Sequence, residues 1–170
     1  MNNFLGKIRY SHLLIAAIVL LFLTPCFDMG GALSRGDRAI SLPLLVGILN
    51  LCFFGGYPVA FGGGALLFVS ETAASVLTLS AYALVLLLAI FLILGLVRSH
   101  GDAEKIKSLT RIAIVGLAIS LALFLVDTIA FLVVIPVAMY SPLSWIYAVL
   151  YLLSEIALFV LFPLIGKKKA

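Results

Sequence analysis

Two carboxylates interrupt the apolar runs of this sequence. Asp127, in ALFLVDTIAFLVV, and Glu155, in WIYAVLYLLSEIALFV, each lie near the centre of a long hydrophobic stretch with no Lys or Arg at the same level. An ionised carboxylate left alone in hydrocarbon costs about 2.5–3.5 kcal/mol even on the lenient insertion scale. At least one of the two is therefore expected to hold its proton at neutral pH. A carboxyl poised in that way can bind and release a proton or exchange it for a cation. If the two runs are successive antiparallel neighbours, which short connections favour, both acids fall at similar depth and face each other as proton- or cation-binding candidates.

Polar residues repeat around them at helical spacing. Tyr147, Tyr151 and Glu155 stand at i, i+4 and i+8, one face of a helix. The run that carries Asp127 also carries Gly116 and Ser120, a small-xxx-small pair that lets helices approach closely. Ser75, Thr78 and Tyr82 fall on a third run and Asn50 near the middle of a fourth. Asn50, Tyr82, Ser120, Tyr147 and Tyr151 are thus expected to form a polar layer supporting the two acids. The plainer role for each, taken alone, is an interhelical hydrogen bond of about 0.6 kcal/mol. For the acids, the plainer role is satisfaction by a partner subunit, which makes them assembly determinants.

The elements that position these groups follow from composition. Of 170 residues, 65% are hydrophobic and 11% charged, with a mean hydropathy of +1.32; soluble domains run near 45–50% apolar and about 25% charged. The fold expected is all-α, a polytopic transmembrane bundle of about five spanning helices in one membrane domain over residues 1–170, with no aqueous domain. The helices are placed at Ile8–Phe27, Ala39–Phe61, Ala65–Val97, Thr110–Met139 and Leu143–Ile165, the fourth with an amphipathic lead-in from Asp102 to Ser108. Ser141 is the expected N-cap of the fifth and Pro142 its first residue. The 31 residues from Ala39 to Val69 carry no charge; as one helix they would run about 46 Å against a hydrocarbon core of about 30 Å. Gly55, Gly56, Pro58, Gly62, Gly63 and Gly64 supply the break. The alternative parse has four spans, with residues 39–69 forming a re-entrant hairpin tipped by GGYP.

Basic residues set the orientation. With five spans, Arg35, Arg38, Arg98, Lys105, Lys107, Arg111 and Lys167–Lys169 fall on one side and Lys7 and Arg9 on the other, nine against two. That puts the C-terminus in the cytoplasm. The alternative parse gives the same split with Lys7 and Arg9 exchanged for Arg35 and Arg38, so the N-terminal side stays open. The compact loops read as those of a bacterial inner (plasma) membrane protein, with the lipid bilayer and either further copies or other membrane subunits as partners. No basic patch is interleaved with exposed aromatics, so nucleic acid is not an expected partner. The N-terminal run has no small-x-small cleavage site and reads as an uncleaved helix.

Several chemistries lack their residues. Cys26 and Cys52 form no C-x-x-C and join no His cluster, so thiol exchange and a metal site have no ligand set. His12 and His100 each stand alone, on opposite faces in the five-span arrangement. No cofactor is indicated. Without a nucleophile–base pair, a metal set or a phosphate-binding loop, an enzyme ranks behind a transport or ion-translocating component and behind a non-catalytic accessory or assembly subunit. The stretch GGYPVAFGGGALLFV is similar to the first helix of the large permease subunit of tripartite ATP-independent periplasmic transporters. The similarity covers about fifteen residues, and the rest of the chain shows no match to that family.

Overall fold

The structure, a computed structural model, describes residues 9–28, 40–45, 71–134 and 142–168. Among these are four helices and one short hairpin. Helix α1 is Tyr10–Phe22, strands β1 and β2 are Pro25–Asp28 and Ile40–Pro43, and the long helices are α2 at Glu71–Arg98, α3 at Ala103–Val134 and α4 at Pro142–Lys168. Within α2, α3 and α4 lie three segments long and apolar enough to cross a bilayer, Ser80–Arg98, Ala103–Val126 and Trp145–Ile165. At 1.5 Å per residue the three helices measure about 42, 48 and 40 Å, all longer than the hydrocarbon core. Their outward faces are apolar, with Leu87, Phe91, Val115, Ile119, Leu150 and Leu153 exposed to what a bilayer would supply as lipid.

Helix α1 is the centre of the bundle. Tyr10, Leu13, Leu14, Ala17, Ile18 and Leu21 are buried and recur at i, i+3, i+4, i+7, i+8 and i+11, one stripe of a 3.6-residue period. The opposite stripe, Ile15 and Val19, is about half exposed. The buried stripe packs with Val85, Ala89 and Leu92 of α2, Ala113 and Leu117 of α3, and Leu158 and Ile165 of α4. Since lipid is as apolar as leucine, close packing rather than transfer from water holds such contacts. Gly116 lies against the Leu88 side chain of α2, whose methyl end would have to move to admit a Cβ there. Contact between α3 and α4 is slight, because α1 and the hairpin lie between them.

Three of the expected helices have different limits. Helix one does not run to Phe27. It stops at Phe22, and Pro25–Asp28 pairs antiparallel with Ile40–Pro43 in the register Pro25 with Pro43 and Asp28 with Ile40. The second expected helix therefore does not start at Ala39, and Pro43 ends a strand. The cause is Thr24-Pro25: a residue before proline is pushed to extended backbone, and proline offers no N–H to a helix. The lead-in from Asp102 to Ser108 is not separate; α3 starts at Ala103 and runs on without interruption. Pro142 opens α4 as expected. The expected N-cap Ser141, and the break at Gly55, Gly56, Pro58, Gly62, Gly63 and Gly64, lie outside the described residues.

A tight turn joins α2 to α3. His100 and Gly101 take positive φ, 47° and 86°, and the Asp102 carboxylate accepts N–H bonds from Glu104 at 3.0 Å and Lys105 at 3.4 Å, capping α3. The start of α1 sits at this same end. Thr110 Oγ1 donates to the Tyr10 carbonyl at 3.3 Å as well as to Ile106, the Tyr10 ring meets Phe162 edge-on at 6.3 Å, and Lys107 lies 6.0 Å above that ring. Arg9, Arg98, Lys105 and Lys107 thus gather at one end, whereas the five-span arrangement puts Arg9 opposite the others. His12 is at this end too, with Nδ1 accepting the Arg9 N–H at 3.2 Å, so it does not lie across the membrane from His100.

Candidate functional site

A helix of thirteen residues is about 20 Å long and cannot cross a hydrocarbon core of about 30 Å. Helix α1 therefore ends among the other helices, and its last carbonyls must find donors there. Irregular backbone at membrane depth is tolerated only under such cover. The accounting closes almost completely. Leu23 N–H reaches the carbonyls of Val19 and Leu20 at 3.0 and 3.1 Å, and Thr24 Oγ1 donates to Leu21 at 2.8 Å. The Tyr147 hydroxyl donates to the Leu23 carbonyl, Leu44 N–H to Thr24 at 2.9 Å, and the Tyr82 hydroxyl to Pro25 at 3.2 Å. Two of the long helices, α2 and α4, and the residue that follows β2 thus each spend a polar group on one interruption.

Thr24 opens a buried chain of oxygens from that point. Its hydroxyl lies 2.7 Å from Ser120 Oγ of α3, Ser120 Oγ lies 2.7 Å from the Tyr151 hydroxyl of α4, and Tyr151 donates to Glu155 Oε1 at 2.7 Å. Thr24 and Tyr151 are themselves 3.4 Å apart. Glu155 is wholly buried, and its second oxygen, Oε2, has no hydrogen-bond partner among the described residues. Ser120 and Thr24 are also wholly buried, and the Tyr151 ring packs edge-on against Phe124 at 5.9 Å. Counted along the helices from the basic end, Tyr82, Ser120 and Tyr151 each stand about 24–26 Å in, and Glu155 about 20 Å in. All lie within the apolar spans.

Tyr82, Ser120, Tyr147, Tyr151 and Glu155, expected as a polar layer from their spacing, are brought together around residues 23–25. Asn50 lies outside the described residues, as does the side chain of Asp127. The backbone of Asp127 belongs to α3, two turns beyond Ser120 and away from the basic end, while Glu155 is one turn from Tyr151 towards that end. By helical rise the two positions differ in depth by about 16 Å, so the shared depth expected of them does not follow from this register.

Thr24 is the member that sequence reasoning missed. Read as the last turn of a helix it had no task, yet the Thr-Pro pair already marked the place where a helix must stop. No protein family, curated protein or solved structure matches this chain. The stretch similar to the periplasmic transporter subunit, residues 55–69, lies outside the described residues.

Proposed function

We propose that this integral membrane protein is a transport component that binds and moves a proton or small cation, with Glu155 as the ion-binding carboxyl and Asp127 as a second acid on the path. One observation carries the reading: a wholly buried carboxyl, with one oxygen unpartnered among the described residues, is wired to the interruption of an apolar helix. Interrupted helices free backbone carbonyls and side-chain hydroxyls inside the bilayer, which is how secondary transporters build ion sites at depth. A carboxyl that pairs with a partner subunit needs a face open to that partner, and Glu155 is wholly buried within its own chain. Tyr82, Ser120, Tyr147 and Tyr151, with Asn50, are the supporting layer. In this reading the chain forms one membrane domain in a bacterial inner membrane, with its C-terminus in the cytoplasm, working with further copies or other membrane subunits.

The test is flux through the purified chain in liposomes. Glu155→Gln keeps the shape and removes the titratable proton, so this variant is expected to insert and assemble while ion flux falls at least tenfold. Asp127→Asn is measured beside it. Full flux and full assembly in both single variants and in the double variant would end the transport reading. Loss of assembly alone would instead favour an accessory subunit whose acids hold a partner.

A further inference from the structure

The four oxygens between Glu155 and α1 form a chain whose direction is set by counting protons. Each hydroxyl owns one. With Glu155 ionised, Tyr151 donates to Oε1, Ser120 must then donate to Tyr151, and Thr24 to Ser120, which takes the Thr24 proton away from the Leu21 carbonyl. With a proton on Oε1 the order turns round: Glu155 donates to Tyr151, Tyr151 to Ser120, Ser120 to Thr24 and Thr24 to Leu21, whose carbonyl is 2.8 Å away. Every proton in that second arrangement has an acceptor, and the last acceptor is at the C-terminal, partially negative end of α1.

The spacing also bears on which ion fits. Oxygens held octahedrally around a calcium-sized cation at about 2.4 Å stand about 3.4 Å apart. The three links of this chain are each 2.7 Å, the separation of an O–H···O bond. Among the described residues no three of His, Cys, Asp or Glu come together. The groups facing Glu155 through the chain are Tyr151 on its own helix, Ser120 on α3 and Thr24 after α1, with Tyr82 of α2 on the adjoining Pro25 carbonyl. No Lys, Arg or His among the described residues is bonded to the four chain members.

Resting on the reading above, we infer that the ion taken up at Glu155 is a proton rather than a metal cation, and that its arrival reverses the chain through Tyr151, Ser120 and Thr24, so that occupancy is felt at the end of α1. One O–H bond of a hydronium ion from the surrounding water breaks and one forms on Oε1, leaving a neutral water and an uncharged carboxyl, while each hydroxyl rotates without losing its proton.

The test uses the full chain in lipid nanodiscs. Infrared difference spectra, with Glu155→Gln to assign the carboxylic acid band, are followed over pH in sodium, potassium and choline buffers, together with amide hydrogen exchange at Leu23 and Thr24. The band is expected to titrate at one midpoint in all three buffers, with exchange at the two amides following the same midpoint. Tyr151→Phe keeps the ring against Phe124 and cuts the chain. It should shift the band frequency and uncouple the amides from pH, and Ser120→Ala, cutting another link, should uncouple them too. A midpoint that moves with sodium or potassium concentration overturns the proton assignment and leaves ion binding standing. Amide exchange still coupled to pH in both variants overturns the chain reversal. A Glu155 band that never titrates sinks this inference and the transport reading together.

Discussion

At the scale of single residues the molecule spends its polar side chains on one place. Thr24 serves the α1 terminus and the oxygen chain at once, so removing its hydroxyl should cost more than an average membrane hydrogen bond. Thr24→Val keeps the branched shape and the extended preference before Pro25, yet it leaves Ser120 without that partner. We expect a loss of about 1–3 kcal/mol in an unfolding titration in mixed micelles, with Thr24→Ser near the unchanged protein; a Val variant of full stability would show that the chain adds nothing to the fold. Much of this site was legible beforehand. Tyr147, Tyr151 and Glu155 announce themselves because helical spacing puts them on one face, and an acid in hydrocarbon is too costly to be idle. What could not be read was their partner, since Thr24 lies 96 residues from Ser120 and 127 from Tyr151, and no local pattern encodes a contact of that span.

At the scale of elements the long helices were legible and the interrupted one was not. Runs such as those of α2, α3 and α4 exceed what any other fold can bury, so length and hydropathy suffice to find them. Helix α1 is as apolar as the long helices, and what cuts it short is Thr24-Pro25, a signal of two residues. The α2–α3 turn shows how sharply a single side chain can act. The Asp102 carboxyl is held below the usual carboxylate range, first by the Lys105 N–H, then by that of Glu104. A carboxyl lowered on folding stabilises fully above its unfolded value, and that contribution is lost as pH falls through the folded value. Exchange at the Glu104 and Lys105 amides, corrected for the intrinsic rate, should therefore quicken in acid. Asp102→Asn, which keeps an acceptor oxygen but cannot titrate, should abolish that acid step; its persistence would mean another group controls the turn.

At the scale of the whole molecule the basic residues converge. Arg9 stands with Arg98, Lys105 and Lys107 at the end where α2 finishes and α3 begins, and α4 ends there with Lys167 and Lys168. By the positive-inside rule that is the end we propose to face the cytoplasm. Cysteines introduced at Ser11, Gly101 and Gly166 should all resist an impermeant thiol reagent added outside intact cells; labelling of Ser11 alone would restore the arrangement with the N-terminus outside. The central place of α1 also has a consequence for synthesis. A ribosome delivers α1 before the three long helices, yet the groups that quiet its broken end arrive later, Tyr82 for the Pro25 carbonyl after 57 further residues and Tyr147 for the Leu23 carbonyl after 124. Until then a thirteen-residue helix with unsatisfied carbonyls has no seat of its own in lipid. The helix made before the other three is thus the last to settle, and a chain cut short before α4 would leave it exposed to cellular proteases.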